Sequence, residues 1–361
     1  MLTAKQALAR ARQWQTTVAL GDAETPQLVV DLRGLSRSFR REDSDSELAS
    51  LLETSPWVNI AIVDHELDPV FAPLVDAFDV ILGYGTSSTT AIDLEPDEAL
   101  VQSSLHELAA AITASPHASV SLVQLLRISH RLPVAQALHA ESLTYAMLQT
   151  SETFRSWLTQ RSADLVVDPT EQAVDIELVG STLRIRLQRP LRRNALNVAM
   201  RDQLVEALEL LDLDPSIDGA VISGAGRNFC AGGDLDEFGT TPTPAAGHRV
   251  RMLHSLPALM HRLRSRIRVH VHGSCVGAGI ELPAFTSSVI AHPNATFRLP
   301  EIGFGLVPGA GGTVSVTRRC GRHRTAWLAL TGAIITAENA LEWQLVDRVD
   351  PTKFDAPGVI Q

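Results

Sequence analysis

The chain has 361 residues, 45% of them hydrophobic and 20% charged, with a formal net charge of −10. That is enough apolar material for two folded domains, and it excludes a disordered or fibrous chain. The acidic balance argues against a broad nucleic-acid surface, although arginines cluster at 189, 192 and 193 and again at 262, 264, 266 and 268. The longest nearly apolar stretch, Ala326–Ala337, is too short and too polar to span a bilayer, and Met1–Gln6 carries no secretory signal pattern. A cytoplasmic protein without membrane contact is expected. Cys230, Cys275 and Cys320 form no CxxC pair and have no zinc-like histidine spacing, so reduced, buried thiols and no metal are expected.

In chain order, the first half reads as short strands, Val29–Asp31, Ile60–Asp64 and Phe78–Ile81, followed by two long helical stretches, Glu98–Ser129 and Leu132–Arg161. The second half opens on a strand pair within Val174–Leu187. Next comes an amphipathic helix over Val198–Leu211, with Met200, Leu204, Leu208 and Leu211 on one stripe. Strands follow at Ala220–Ser223, Arg268–His272, Val289–His292 and Phe297–Leu299, with a helix beginning near Gly279. This alternation predicts an α/β fold with a helix-flanked sheet.

Two short segments carry the chemical signal: Phe229-Cys-Ala-Gly-Gly-Asp-Leu235, and Gly277-Ala-Gly-Ile-Glu281 with Pro300-Glu301-Ile302 beyond it. Glycine lets a ligand oxygen approach a backbone N–H without a side chain in the way. Two glutamates placed near such donors suit chemistry in which negative charge builds on a carbonyl oxygen while protons move nearby. Taken singly, the glycines also fit tight turns, Glu281 a helix-start carboxylate and Glu301 an exposed loop acid.

The segment from about Asp175 to Pro351 resembles the crotonase (enoyl-CoA hydratase/isomerase) superfamily. The resemblance rests on Arg189-Pro-Leu-Arg-Arg-Asn-Ala-Leu196, Ser223–Leu235, Val271–Glu281, Phe297–Thr313, Leu330-Thr-Gly332 and Leu345-Val-Asp-Arg-Val349, in that order. It implies an α/β, crotonase-like ββα-repeat spiral over residues 170–361 as the catalytic domain. It also implies an acyl-CoA substrate, no cofactor or metal beyond the coenzyme A of that thioester, and a homo-oligomer, a trimer or a multiple of three.

The helices of residues 96–165 are similar to the family's C-terminal helical module, through Ala135, Leu138, Glu141, Ser142, Leu148, Ser151, Phe154 and Trp157. Gly34-Leu-Ser-Arg-Ser-Phe39 parallels Gly224-Ala-Gly-Arg-Asn-Phe229 at an offset of 190, and Ile60–Ile81 parallels Arg268–Val289 at 208. An internal repeat is therefore expected, with residues 1–165 a shortened, degenerate copy whose α/β part covers 25–95. That copy has Arg40-Arg-Glu-Asp43 in place of the Gly-rich loop and Pro73 in place of Glu281, so no chemistry is expected of it.

By resemblance, the N–H groups of Gly233 and Ala278 form the oxyanion hole. Glu281 handles the water added at Cβ, and Glu301 the proton at Cα. Coenzyme A and acyl contacts are implied for Arg192, Arg193, Ala195, Leu196, Ala231, Gly232, Asp234, Leu235, Gly277, Phe304, Pro308 and Gly309, with Arg192 or Arg193 on a phosphate. Three departures stand out. Leu299 replaces a glutamine common before the Pro-Glu pair, Ala278 replaces a glycine, and Pro283 lies early in the expected helix. An enoyl-CoA hydratase is the leading expectation. Isomerase, hydrolase, cofactor-free oxygenase and non-catalytic acyl-CoA-binding scaffold remain as alternatives.

Overall fold

The computed structural model describes residues 1–16, 26–33, 43–64, 69–84, 90–94, 97–161 and 172–353. The first half builds α1 (Ala4–Thr16), β1 (Gln27–Asp31), α2 (Asp43–Glu53), β2 (Val58–Asp64), α3 (Ala72–Asp76), β3 (Val80–Tyr84) and β4 (Ile92–Leu94). The four strands form a parallel sheet in the order β1-β2-β3-β4. Arg37 and Arg40–Glu42, invoked for the repeat, lie outside the described residues, whereas Pro73 falls in α3.

The two expected helical stretches are each broken in two. The first becomes α4 (Glu98–Ala114) and α5 (Pro116–Ser129), which turn by 106° at Ser115. Pro116 supplies no N–H to the preceding turn and so opens a new helix. The second becomes α6 (Val134–Leu148) and α7 (Glu152–Gln160), where Ser151 restarts the chain by accepting from the Phe154 N–H. Among the described residues no single helix is long and apolar enough to cross a membrane.

The second half begins with the antiparallel pair β5 (Val174–Val179) and β6 (Thr182–Leu187). The chain continues through α8 (Val198–Leu213), β7 (Gly219–Gly224), α9 (Pro244–Leu253), α10 (Leu256–Arg262), β8 (Ile267–Val271), β9 (Ser274–Val276) and α11 (Ala278–Glu281). It ends with β10 (Ser288–Ala291), β11 (Thr296–Arg298), α12 (Gly312–Cys320), α13 (Arg322–Thr331), β12 (Ile335–Thr336), α14 (Ala337–Glu342) and β13 (Arg348–Val349). The main sheet runs β13-β10-β8-β7-β6-β5, and β9, β11 and β12 make a second, small sheet. Asn197 caps α8 by accepting from the Met200 N–H, and the expected stripe is buried with Ala207 added. The helix expected near Gly279 is only one turn long: α11 ends at Glu281, and Pro283 opens a separate 3-10 turn.

The halves share one core. One face of the first sheet (Leu28, Val30, Ala61, Val63, Ile81) packs with α1–α3. The opposite face (Val58, Ile60, Val80, Leu82) joins α4–α7 and the whole interior of the second half. Arg127 of α5 ties the two layers. Its guanidinium donates to Asp79 (2.8 and 2.6 Å) and to the carbonyls of Ser55 (2.6 Å) and Trp57 (2.7 Å).

Candidate active site

Two loops meet through glycines. Cys230 donates to the Ser274 carbonyl (3.3 Å) and Val276 to the Cys230 carbonyl (3.0 Å), which lays residues 230–233 beside 274–278. Leu196 fixes the other side, donating to Gly232 and accepting from Asp234. Gly232 (φ +96°) and Gly277 (φ +49°) are in the left-handed region, and a Cβ on Gly277 would lie 3.6 Å from Gly232 Cα. The next residues, Gly233 and Ala278, present N–H groups that donate to no acceptor among the described residues. These two adjacent, unpaired donors suit an oxyanion. Since α11 is one turn long, a helix dipole adds little to the second of them.

Both expected glutamates come to this point. A Cβ on Gly277 would stand 2.5 Å from Glu301 Oε1 and 3.6 Å from Glu281 Oε1. The two oxygens are therefore separated by no more than the sum of those distances. Glu281 Oε2 accepts from the Ala310 and Gly312 N–H groups, each at 2.8 Å, which leaves Oε1 facing the glycine. Burial raises its carboxyl to about 7 against the pull of those two amides. Glu301 is 8% exposed, and its buried Oε2 has no partner among the described residues. Its carboxyl is pushed well above the ordinary range by burial first and by Glu281 second.

A third carboxyl in the site is one to which the sequence motifs give no role. Glu141 of α6 accepts from Gly311 N–H (2.8 Å), Thr313 N–H (3.0 Å) and Thr313 Oγ1 (2.6 Å). Four successive amides, 310 to 313, thus alternate between Glu281 and Glu141. Burial and the neighbouring Glu281 lift Glu141 to about 8 against the pull of those three donors. The only sequence signal was a glutamate on an otherwise apolar helical face. Tyr145, one turn on, packs on Gly309, which has no room for a side chain there.

The remaining expected residues sort by what they touch. The Arg189–Leu196 turn is held by buried Asn194, which accepts from Arg189 N–H and donates to the Ala225 and Asn228 carbonyls. Arg192 pairs with Asp234 (2.9 Å) and Asp236, and Arg189 also reaches Asp234 (3.0 Å). Arg193, at φ +51°, is exposed. Ala231 donates to the Arg193 carbonyl (3.0 Å), which joins the turn to the Gly-rich loop, and Ala195 is buried beneath it. The Leu235 carbonyl accepts from Arg161 beyond α7. Phe304 stacks on Trp157 at 4.8 Å, and Phe238 meets both edge-on at 6.5 and 5.8 Å. The Phe238 ring lies against Gly233, so an aromatic wall borders one of the free amides. Pro308 precedes the Gly309–Thr313 amide run. Burial raises Cys230 to about 12 and Cys320 to about 11, far from a thiolate nucleophile.

The fold and this paired-amide, paired-carboxyl geometry belong to a recognisable class. Residues 177–354 match the family model for enoyl-CoA hydratase/isomerase. Among curated relatives, 2,3-dehydroadipyl-CoA hydratase of Escherichia coli (strain K12) is 40% identical over 182 residues, which is 50% of this chain and 69% of that protein. The 1,2-epoxyphenylacetyl-CoA isomerase of the same organism is 36% identical over 171 residues, 46% of this chain and 65% of that protein. The crystal structure of enoyl-CoA hydratase from Thermoplasma volcanium GSS1 is similar at 30% identity and a TM-score of 0.46, covering 50% of this chain and 72% of that one. The chain thus spans about two thirds of the length of the relatives it matches, and its own first half lies outside the family match. The protein belongs to the enoyl-CoA hydratase/isomerase (crotonase) superfamily, and its second half has the crotonase α/β fold.

Proposed function

We propose that the protein hydrates a 2,3-enoyl-CoA. The observation that carries this reading is the convergence on Gly277 of two backbone donors, unpaired among the described residues, and two buried glutamates. The thioester oxygen sits between Gly233 N–H and Ala278 N–H. Water adds to Cβ as Glu281 Oε1 takes one of its protons, and the electron pair of the double bond moves onto the thioester oxygen as an enolate. The enolate collapses as Glu301 delivers a proton to Cα, so H and OH are added overall. Burial raises both carboxyls, and the step uses Glu281 in its ionised form and Glu301 in its protonated form. Each donor to the enolate is worth about 3–4 kcal/mol in the transition state. A phosphate contact falls to exposed Arg193, since the Arg192 guanidinium already meets two carboxylates.

The internal repeat belongs to the same proposal. At the offset of 208, the Ile60–Val80 pairing of β2 with β3 corresponds to Arg268–Ser288 of β8 with β10. The strand order β1-β2-β3-β4 likewise parallels β7-β8-β10-β13. In this reading the first copy has lost the acids and kept its helices, and the second has kept the acids and is covered by those helices.

A panel of enoyl-CoAs incubated in deuterated buffer and read by mass spectrometry tests the reaction. Addition of one heavy water is the expected result. Deuterium uptake without added water would reassign the site to isomerisation, which one glutamate can run. Either Glu281→Gln or Glu301→Gln is expected to cost about 10²–10⁴-fold in hydration.

A further inference from the structure

Beside the amide run lies a cavity of about 170 Å³, bordered by Glu141, Ser142, Arg201, Arg251, Leu282 and Ala310. It adjoins the reacting centre through its lining: Ala310 donates to Glu281 Oε2, and Leu282 follows Glu281 in the chain.

Its walls carry a cation that makes no ion pair among the described residues. Arg251 of α9 lies over the Tyr145 ring, 4.7 Å from guanidinium carbon to ring centre. Its Nε donates to Ser142 Oγ at 2.9 Å and an Nη to the Ser142 carbonyl at 3.3 Å. No carboxylate of the described residues is within ion-pair distance of it. Ser142 Oγ is shared with His248 Nδ1 at 2.9 Å. The nearby carboxyl, Glu141, spends its oxygens on the Gly311 and Thr313 N–H groups and the Thr313 hydroxyl and makes no hydrogen bond to Arg251, on which its charge acts only through space. Arg201, on the opposite wall, pairs with Asp202 at 2.7 Å. A half-buried guanidinium with spare donors is stabilised by a bidentate anion.

We propose that this cavity receives the far end of the acyl chain and that Arg251 binds a carboxylate there. The substrate class is then a dicarboxylic acyl-CoA, thioester at one end and free carboxylate at the other. This inference rests on the acyl-CoA reading of the site and adds its specificity.

The test is calorimetric titration with hexanoyl-CoA and with its ω-carboxyl analogue, two saturated ligands that cannot be hydrated. Wild type is expected to bind the ω-carboxyl ligand at least about tenfold more tightly. Arg251→Gln is expected to bring the two affinities together, Arg251→Lys to keep part of the preference, and Arg201→Gln to keep most of it. Equal affinities, or tighter hexanoyl-CoA binding, in wild type would overturn the inference and leave the acyl-CoA reading standing. A preference abolished by Arg201→Gln but kept in Arg251→Gln would overturn the assignment to Arg251. Failure of both ligands to bind would overturn the acyl-CoA reading itself, and this inference with it. The wild-type comparison is decisive alone, so the test holds even if a variant does not fold.

Discussion

Replacing Glu141 by Ala strips the acceptor from two buried amides, Gly311 and Thr313, and from the Thr313 hydroxyl. An unpaired buried donor costs about 1–3 kcal/mol, so the two amides together set a range of about 2–6 kcal/mol. The adjoining cavity can admit water to the vacated space, which places the loss at the lower end, about 2–3 kcal/mol. For a domain of this size that lowers Tm by roughly 4–10 °C. The functional loss follows from the interleaving. The amides released from Glu141 flank those that hold Glu281 Oε2, so the base loses its fixed aim, and kcat is expected to fall about ten- to a hundredfold. Glu141→Gln should be milder, because the amide oxygen keeps part of the accepting capacity in the same place. Thermal melting and loss of enoyl-thioester absorbance read the two effects, and the thermal arm needs no knowledge of the substrate. An alanine variant melting within about 1 °C of wild type with unchanged kcat would refute the alternating-amide account.

Three further outcomes follow from the same geometry. Gly277→Ala sets a Cβ at 2.5 Å from Glu301 Oε1 on a left-handed backbone, so activity should drop by about a hundredfold or more while circular dichroism stays native; retained activity would count against the convergence of the acids there. Arg127→Met leaves Asp79, at 1% exposure, with the Asn59 N–H at 2.7 Å and, for counter-charge among the described residues, Arg322 at 3.8 Å; urea unfolding should show a loss of about 3–5 kcal/mol, with part of it regained in the Arg127→Met/Asp79→Asn double variant. Stability should fall as pH rises from the ordinary carboxyl value near 4.5 to about 8, because folded Glu141, Glu281 and Glu301 keep protons that the unfolded chain has released. Buried His323, lowered from 6.5 to about 4, works in the opposite sense, withdrawing stability as pH falls through that interval. Urea midpoints across pH check both slopes, and Glu141→Gln should flatten the alkaline one.

Chemistry written locally is legible in the linear pattern. The glycines at 232 and 277 are needed where backbone must turn left-handed and let a ligand approach. Glu281 and Glu301 sit at fixed short distances from them, and alternating strand and helix patterns specified the second half. Apolar periodicity overstates helix length where a proline or a capping serine intervenes, as at Ser115–Pro116 and Ser151, because it runs through such breaks without recording them. Glu141, Tyr145 and Arg251 were beyond reach for a different reason. Glu141 meets Gly311 across 170 residues of chain, and a glutamate on a buried helical face has no meaning until its acceptor geometry exists. Only the packing of α6 and α7 against the second half brings these groups to the acids. Burial in that shared core, which no linear pattern encodes, is what raises the three carboxyls and sets the Arg251 guanidinium beside them without an ion pair among the described residues.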